Sequence, residues 1–252
     1  MRHYGLLGQS LAHSYSQSYF EQKFQAEGIA DAAYQLYERP NCEGLRQWVD
    51  EQQIHGLNVT IPYKEQVVAQ LDRLTPQAQA VGAVNAICRL ADGTLIGHNT
   101  DAPAFAQTLQ PLLRPDIKKA LVLGTGGAAK AVRCALKGLG IEVVMVSRNP
   151  QESQFADAIG YIEAVEQARN IFLIVNATPV GMYPHEEATP WHDVHTLSPN
   201  HICYDLIYNP DETLFLIQSQ LAGAQTLNGL PMLHLQAELS WQFFQNPLSA
   251  EG

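Results

Sequence analysis

Residues 120–149 read ALVLGTGGAAKAVRCALKGLGIEVVMVSRN, and the pattern of this stretch decides the class of fold. The apolar run Ala120–Leu123 predicts a buried strand, which is followed by a glycine-rich turn and an alanine-rich helical segment. A second apolar run, Glu142–Val146, predicts another strand. Strand, tight turn, helix and strand in this order are typical of a βαβ unit, in which the two strands run parallel. The sequence therefore predicts an α/β fold.

The glycine-rich turn matches the pattern G-x-G-x-x-G/A of dinucleotide-binding folds, with Ala129 in the third position. Gly124 permits the tight turn, and Gly126 lets the backbone approach a pyrophosphate at the start of the helix. A tight strand–helix turn in another kind of α/β protein is the alternative interpretation. The candidate cofactor residues of this turn are Gly124, Thr125, Gly126, Gly127, Ala128 and Ala129.

The second strand ends at Ser147, Arg148 and Asn149, which are candidate cofactor residues as well. Folds selective for NAD usually place a carboxylate there, but none occurs between Glu142 and Glu152. An arginine can instead bind a 2′-phosphate with its planar set of charged donors. This strand end favours NADP over NAD, unless Arg148 is a solvated loop residue.

Short apolar runs alternate with helical segments on both sides of this unit. We predict two α/β domains with a helix that returns to the first of them. Residues 1–101 would form the N-terminal substrate-binding and catalytic domain, residues 102–228 a Rossmann-type dinucleotide-binding domain, and residues 229–252 the returning C-terminal helix.

Local signals add three predictions in the first domain. A helical segment is expected over Tyr63–Leu71, and Thr75 is expected to cap a helix that begins at Pro76. The pair Asp92-Gly93 predicts a hairpin with a type I′ turn.

The composition excludes several classes of protein. The chain has 252 residues, 46% of them hydrophobic, and a formal net charge of −10, which disfavours nucleic-acid partners. Residues 213–237 carry no charge, but their glutamines are costly in hydrocarbon, so no membrane segment is predicted. Residues 1–10 turn polar too early for a secretory signal. The four cysteines lie far apart with no histidine at metal-ligand spacing, which predicts a cytoplasmic protein without a metal.

Polar side chains cluster where the third predicted strand ends. Asn58 and Thr60 share one face of that strand, and Pro62 turns the chain so that Lys64 can return toward the same side. A second polar group ends at Asp101, at the predicted domain junction. A lysine held beside a carboxylate can act as acid or base on a hydroxyl. Taken alone, however, Lys64 could be an ordinary surface lysine.

Eight stretches in this order resemble the shikimate dehydrogenase family, and the resemblance covers nearly the whole chain. These stretches are GLLGQSLAHSYS near the start, NVTIPYK, GAVN at 82–85, GHNTD, GTGGAA, NATPVGM at 176–182, YDLIYNP at 204–210 and NGLPMLHLQA at 228–237.

The resemblance implies the reversible, NADPH-dependent reduction of 3-dehydroshikimate to shikimate in chorismate and aromatic amino acid biosynthesis. It implies that Lys64 and Asp101 are the catalytic pair. The implied shikimate ligands are Ser14, Ser16, Asn58, Thr60, Asn85, Asp101, Tyr208 and Gln236. Thr178, Leu206 and Gly229 join the implied cofactor site. Neutral hydroxyl and amide groups suit a substrate with three hydroxyls and one carboxylate.

Each of these candidate ligands, taken alone, also has an interpretation in which it does not bind the substrate. Ser14 or Ser16 could cap the following helix, Tyr208 could be core, and Gln236 could be solvated. His13 and His98 flank the substrate positions and are interpreted as scaffold rather than proton carriers.

The chain departs from the family pattern at three places. No second basic residue follows Arg148 within residues 150–153, and Ala102 and Pro231 stand where glycines are usual. The first departure weakens the preference for NADP. The other two lie in hinge regions and concern domain motion more than chemistry.

Three other functions remain open. A relative that oxidises quinate, with NAD or NADP, is the nearest, although serine at both 14 and 16 favours shikimate. Methylenetetrahydrofolate dehydrogenase has a similar plan but would not need that serine pair. A non-catalytic nucleotide-sensing protein would not need both Lys64 and Asp101. A monomer or a homodimer is expected.

Overall fold

The computed structural model describes residues 1–12 and 14–251, so His13 lies outside the described residues. The chain forms two compact units. The first comprises Met1–Thr100 together with His234–Gly252, and the second comprises Asp101–Leu233. Both units are α/β, which confirms the predicted fold class. The functions assigned to the predicted domains stay predictions.

The first unit contains a six-stranded mixed sheet. Its elements are β1 (Arg2–Gly8), α1 (Ser16–Ala26), β2 (Ala32–Glu38), α2 (Leu45–Glu51), β3 (Ile54–Val59), β4 (Arg73–Leu74), α3 (Pro76–Val81), β5 (Ala86–Arg89) and β6 (Leu95–His98). The strand order is β2-β1-β3-β5-β6-β4, and β1 runs parallel to both β2 and β3. Because β5 is antiparallel to β3, its first residues lie beside the last residues of β3.

The second unit contains a five-stranded sheet in which every pair is parallel. Its elements are α4 (Asp101–Leu109), β7 (Lys119–Leu123), α5 (Gly127–Gly138), β8 (Glu142–Val146), α6 (Tyr161–Gln167), β9 (Leu173–Asn176), β10 (Ile202–Asp205), α7 (Leu214–Leu221) and β11 (Gln225–Leu227). The strand order is β11-β10-β9-β7-β8. The predicted unit of β7, α5 and β8 is thereby confirmed.

One further helix, α8 (Leu230–Gln245), begins in the second unit and continues into the first. Its residues Trp241 and Phe244 belong to the same apolar cluster as Tyr4 on β1 and Phe24 on α1. The rings of Tyr4 and Trp241 lie 5.0 Å apart, edge to face. This helix therefore supplies part of the core of the first unit.

Two local predictions in the first unit need correction. The segment expected as a helix over Tyr63–Leu71 is a short 3₁₀ helix, Gln66–Gln70, in which the β-branched pair Val67 and Val68 disfavours a longer α-helix. Thr75 caps α3 as predicted, because its hydroxyl accepts a hydrogen bond from Ala78 N–H at 3.2 Å. Further 3₁₀ helices occupy Gln110–Leu112, Pro150–Glu152, Val194–Thr196 and Pro247–Glu251.

The second correction concerns the turn between β5 and β6. The hairpin is present, but only Gly93, and not Asp92, has a positive φ. Gly93 N–H donates to Leu90 C=O at 3.0 Å, and Leu90 N–H donates to Thr94 C=O at 2.9 Å. This is a three-residue loop with glycine in the left-handed region, not a two-residue type I′ turn.

Among the described residues, no helix combines the length and the apolar character that a bilayer crossing requires.

Candidate active site

The turn after β3 carries Thr60 and Lys64. Thr60 N–H donates to Leu7 C=O, and Tyr63 N–H donates to Thr60 C=O, both at 2.9 Å. Val84 N–H then donates to Lys64 C=O at 2.8 Å, so the backbone of Lys64 lies against the residue that precedes Asn85. Thr60 and Lys64 are half-buried. The local fold thus gathers three predicted site residues of the first unit.

Asn58, at the end of β3, is only 5% exposed. Its Oδ1 accepts from the Tyr34 hydroxyl at 2.9 Å. Its Nδ2 donates to Asn85 C=O at 3.3 Å and to Ser240 Oγ at 2.9 Å. The side chain therefore joins strands β2 and β3 to helix α8.

Asn85 is buried at the start of the hairpin and bonds to Thr100 twice. Asn85 Nδ2 donates to Thr100 Oγ1, and Thr100 N–H donates to Asn85 Oδ1, each at 2.8 Å. Asn85 Nδ2 also lies 3.4 Å from Gln236 Oε1. Thr100 Oγ1 is 3.0 Å from both Ser240 Oγ and Gln236 C=O. Three predicted substrate residues, Asn58, Asn85 and Gln236, are thus connected within the first unit.

The two predicted serines lie at the start of α1. Ser14 Oγ accepts from Ser16 N–H at 3.2 Å, but the N-cap residue of α1 is Tyr15 and no side chain caps the helix, so neither serine is the cap that one interpretation expected. Ser16 is the first residue of α1 and is half-buried.

The sequence did not predict that Tyr34 and Ser240 bond to the candidate site residues, and Thr100 entered the prediction only as part of the motif GHNTD. Thr100 stands next to Asp101 in the polar run, which was a usable signal. Tyr34 in an apolar strand and Ser240 in an apolar helix read as ordinary core residues, so the sequence carried no signal for them.

His98 takes part in packing at the end of β6. Its Nδ1 lies 2.8 Å from Thr75 Oγ1, and its ring stacks on Phe243 at 4.8 Å. Burial lowers the pKa of His98 to about 4, so the imidazole is neutral at ordinary pH. This environment agrees with a scaffold role.

In the second unit, the glycine-rich turn leaves β7 and enters α5. Gly124 has a φ of +108°, and a Cβ there would lie 3.0 Å from both Ala177 O and Thr178 Cγ2. A Cβ at Gly126 would meet nothing within 4 Å. The first glycine is needed by the backbone, and the second leaves open space in front of the helix start.

One hydrogen bond joins the turn to the end of β8, and another joins it to Gln154 in the segment that follows. Gly124 N–H donates to Val146 C=O at 2.9 Å, and Gln154 Nε2 donates to Thr125 C=O at 2.7 Å. The first turn of α5 contains no acidic residue, so nothing there opposes an anion at its N-terminus.

The residues after β8 are on the surface. Arg148 and Asn149 are exposed, and Ser147 Oγ accepts from Asn149 N–H at 3.2 Å. Asn149 Nδ2 donates to Glu152 Oε2 at 3.2 Å, which brings a carboxylate into this loop. The loop predicted to bind the 2′-phosphate thus contains one basic side chain, Arg148, and one acidic side chain, Glu152.

The ends of β9 and β10 are connected by Asn176 and Asp205. Asn176 Nδ2 donates to Asp205 Oδ1 at 3.0 Å, and Asn176 Oδ1 accepts from Thr178 Oγ1 at 2.7 Å. Asp205 also accepts from Ile207 N–H at 3.0 Å and from Thr213 Oγ1 at 2.7 Å. Burial raises the pKa of Asp205 to about 6, despite these donors.

Gly229 packs directly on the loop after β10. A Cβ at this position would lie 2.0 Å from Leu206 O, and Gly229 N–H donates to Ile207 C=O at 2.9 Å. Leu206 and Tyr208 are half-buried. The structure thus brings Leu206 and Gly229 together, as the prediction of a shared site requires.

These features fit a dinucleotide. Three features suit phosphate groups. They are the open space beside Gly126, the N-terminus of α5, which has no acidic residue, and the exposed side chain of Arg148. Within the part of the chain that the structure describes, no group of three or more His, Cys, Asp or Glu side chains could hold a metal ion.

Comparison with known proteins decides the family. A family model described as the shikimate dehydrogenase substrate binding domain matches residues 6–87. A relative from Symbiobacterium thermophilum named shikimate dehydrogenase (NADP(+)) is 36% identical, over 95% of this chain and 87% of its own length. The chain belongs to the shikimate dehydrogenase family. It is an oxidoreductase of that family, whose curated relatives are named for NADP(+).

Solved structures of the shikimate dehydrogenase family have the same fold. The enzyme from Thermus thermophilus, in complex with NADP(H) and shikimate, aligns with a TM-score of 0.86 at 33% identity, over 100% of this chain and 97% of that one. Quinate dehydrogenase from Corynebacterium glutamicum, in complex with NAD, aligns with a TM-score of 0.85 at 28% identity, over 96% and 93%.

Proposed function

We propose that this protein catalyses the reversible reduction of 3-dehydroshikimate to shikimate with NADPH. The observation that carries the proposal is the similarity over nearly full length to enzymes named for this reaction and cofactor. The connected polar side chains of the first unit support it, because they suit a substrate that is rich in hydroxyl groups.

The substrate would bind among the polar residues predicted for it, all of which are neutral except Asp101. The serines at the start of α1 suit its carboxylate, since hydroxyl groups and helix N–H groups both donate to an anion. Amide and hydroxyl groups elsewhere suit its hydroxyls. The proposed set is Ser14, Ser16, Asn58, Thr60, Asn85, Asp101, Tyr208 and Gln236.

Lys64 and Asp101 are proposed as the proton-transfer pair. Lys64 belongs to the first unit, and Asp101 is the first residue of the second. Lys64 would give a proton to the carbonyl oxygen during reduction and take it from the hydroxyl during oxidation. Asp101 would orient the lysine and accept a hydrogen bond from the same hydroxyl.

The dinucleotide would be held by the residues of the glycine turn and of the loop after β8. When bound, NADP supplies or accepts the hydride. Gly124 to Ala129 would bind its pyrophosphate, and Ser147 to Asn149 its 2′-phosphate. Leu206 and Gly229 would line the nicotinamide end, and Thr178 would lie close to the cofactor. We propose a cytoplasmic enzyme that acts as a monomer or homodimer, without nucleic-acid partners.

A direct assay tests the proposal. The purified protein is mixed with shikimate or quinate and with NADP⁺ or NAD⁺, and the absorbance of the reduced cofactor is followed. We expect the highest kcat/KM with shikimate and NADP⁺. Absence of turnover with every pair would instead indicate a non-catalytic relative.

Quinate and NAD form the second candidate pair. Glu152, hydrogen-bonded to Asn149, brings a carboxylate next to the expected 2′-phosphate position and so favours some use of NAD. A higher kcat/KM with quinate and NAD⁺ in the same assay would select this alternative.

A further inference from the structure

Two neighbouring strands of the second unit end in side chains that continue the hydrogen bonding of the sheet. The pairing of β9 with β10 extends to Leu206 N–H, which donates to Asn176 C=O at 3.0 Å. Beyond that bond, Thr178 N–H donates to Asn176 Oδ1 and Ile207 N–H donates to Asp205 Oδ1, each at 3.0 Å. Each strand therefore ends in a turn in which an Asn or Asp side chain accepts from the amide two residues later.

A direct hydrogen bond joins these two turns. Asn176 Nδ2 donates to Asp205 Oδ1 at 3.0 Å, and its second hydrogen is directed at Val180 C=O, at 3.3 Å. Asp205 Oδ2 accepts from the Thr213 hydroxyl at 2.7 Å, and that hydroxyl caps α7 by accepting from Leu216 N–H at 3.3 Å. Asp205 thus connects the end of β10 both to the turn after β9 and to the start of α7.

Both side chains are buried among their hydrogen-bond partners. Asn176 and Asp205 are 0% exposed, so water does not compete for these bonds. Desolvating a carboxylate costs free energy, which makes Asp205 a weak device for stability alone. Because neither side chain has exposed surface, neither can bind a ligand itself. A role in binding would therefore pass through the loops that they hold.

The two loops adjoin the glycine-rich turn. The strands β10, β9 and β7 are neighbours in the sheet, and ligands of parallel sheets bind outside the carboxyl ends of the strands. A Cβ at Gly124 would lie 3.0 Å from both Ala177 O and Thr178 Cγ2, so the loop after β9 packs directly on the glycine turn. Gly229 N–H donates to Ile207 C=O at 2.9 Å, so the loop after β10 holds the segment that precedes α8.

We propose that Asp205 and Asn176 are positioning residues that hold the loops after β9 and β10 in the arrangement that accepts the nicotinamide half of the cofactor. The proposal rests on the proposed function, because it presupposes that Leu206 borders that half and that Thr178 lies close to the cofactor. It needs no free hydroxyl of Thr178, which already donates to Asn176 Oδ1 at 2.7 Å. What the pair fixes is the position of the two loop backbones.

The test measures binding directly, by isothermal titration calorimetry with two ligands. NADPH contains the nicotinamide half, whereas adenosine 2′,5′-bisphosphate keeps the adenosine and the 2′-phosphate of the same cofactor and has no nicotinamide. The bisphosphate would contact only the glycine turn and the loop after β8. Comparing the two ligands therefore separates the loops after β9 and β10 from the rest of the unit.

Two variants break the connection, and a third keeps it. Asp205→Ala removes the carboxyl, and Asn176→Ser keeps an oxygen for its own turn but is too short to reach Asp205. We expect both to raise the Kd for NADPH by about 5- to 20-fold, the worth of one to two net hydrogen bonds, and to change that for the bisphosphate by less than about twofold. Asp205→Asn should bind NADPH within about twofold of the parent, because its amide oxygen can keep both N–H donors and its NH₂ group can donate to Thr213.

His201→Ala is the matched control, because His201 lies at the opposite end of β10. His201 is 1% exposed, its Nε2 lies 2.9 Å from Ala168 C=O, and its Nδ1 accepts from Ser198 N–H at 3.0 Å. This variant also removes a buried polar side chain that ties two segments together. It should lower the thermal midpoint, as Asp205→Ala does, and leave both dissociation constants within about twofold of the parent. Circular dichroism verifies folding, and Asn176→Ser decides the question if Asp205→Ala does not fold.

The possible failures can be told apart. If the parent binds both ligands and the Asp205→Ala and Asn176→Ser variants bind NADPH as it does, the positioning role is wrong. If these variants lose as much affinity for the bisphosphate as for NADPH, or if His201→Ala loses as much for NADPH, the effect is a general loss of structure and the proposal also fails. If the parent binds neither ligand, the proposed use of NADPH is refuted and the positioning role with it. The assay with shikimate decides separately whether the proposed reaction holds.

Discussion

In the first unit, the candidate substrate residues Asn58 and Asn85 are buried side chains held by hydrogen bonds to their neighbours, whereas in the second unit the candidate cofactor residues are glycines, backbone amides and exposed side chains. The first arrangement fixes each donor and acceptor in one direction. The second leaves the loop after β8 open to solvent. A substitution in the first unit should therefore remove a defined interaction, and one in the loop should change selectivity by degrees.

The largest effect expected on the side of the first unit is that of Lys64→Ala. An ammonium stabilises the alkoxide character of the transition state more than the neutral hydroxyl of the ground state. We expect kcat to fall by at least about 100-fold with a much smaller change in KM. Steady-state kinetics with Lys137→Ala, an exposed lysine of α5, as control measures this.

Asp101→Asn should lower kcat and raise KM, because it removes the partner of the lysine and an acceptor for the substrate. A Lys64→Ala protein with nearly parental kcat and a sharply raised KM would make the lysine a binding residue and would break the assignment.

Asp205 is the exception in the second unit, because its carboxyl group is buried. Its contribution to stability should therefore depend on pH. The pKa of about 6 lies above that of an unfolded aspartate, so the folded state keeps its proton longer. The Asp205 carboxyl therefore contributes fully to the free energy of unfolding at low pH. As pH rises from about 4 through about 6, this contribution falls by up to about 3 kcal/mol.

Asp205→Asn removes that loss. Urea unfolding at pH 4.5, 6.0 and 7.5 should show the variant gaining on the parent as pH rises. Asp157→Asn, at an exposed site, should differ from the parent by a constant amount. A constant difference for Asp205→Asn as well would mean that the carboxyl titrates normally.

Arg148→Ala tests whether an exposed side chain in the second unit sets cofactor choice. A charge-assisted bond is worth about 1.5–3 kcal/mol, so the KM for NADP⁺ should rise roughly 10- to 150-fold while that for NAD⁺ is nearly unchanged. Arg169→Ala, also exposed, serves as control. Equal losses with both cofactors would count against a 2′-phosphate contact.

Gly229→Ala tests the backbone contact with Leu206. The new Cβ would lie 2.0 Å from a carbonyl oxygen, so the backbone must shift and stability should fall by about 1–3 kcal/mol. Gly138→Ala, where a Cβ meets nothing at the end of α5, should raise stability by up to about 1 kcal/mol. Similar thermal midpoints for the two variants would show that the loop yields freely.

The smallest effect is expected from Glu152→Gln. Removing an exposed carboxylate near the 2′-phosphate position should lower the KM for NADP⁺ by roughly two- to fivefold at low salt, and less at high salt. Glu163→Gln, exposed on α6, is the control. An equal change in the KM for NAD⁺ would assign the effect to general surface charge.

The pattern of the sequence was sufficient for the βαβ unit, because two apolar runs of four residues, each at the end of a five-residue strand, and a glycine turn leave few alternatives. It did not reveal β4 or β11, which have two and three residues and form through pairing with a neighbouring strand. The helix α6 was also missed. At Asp92-Gly93 the local signal predicted the hairpin correctly, but the same dipeptide fits more than one loop length.

For the site, the polar residues that follow β3 identified Lys64, whereas Asn85, which stands between apolar residues, was identified only through the resemblance to the family. Neither signal could identify Tyr34 or Ser240, because a hydroxyl on an otherwise apolar element is ordinary in a core. Only the folded chain shows that Tyr34, 24 residues before Asn58 in sequence, donates to its amide.

The bond between Asn58 and Ser240 joins residues 182 positions apart, and α8 supplies part of the core of the first unit. A ribosome adds about 5–20 residues per second, so roughly 10–35 s separate the synthesis of the two partners. During this time the earlier unit exposes the apolar surface that Trp241 and Phe244 later cover, and β11 of the second unit is itself made only shortly before these residues. The first unit, although its sheet is made first, therefore cannot complete its core until α8 has been synthesised.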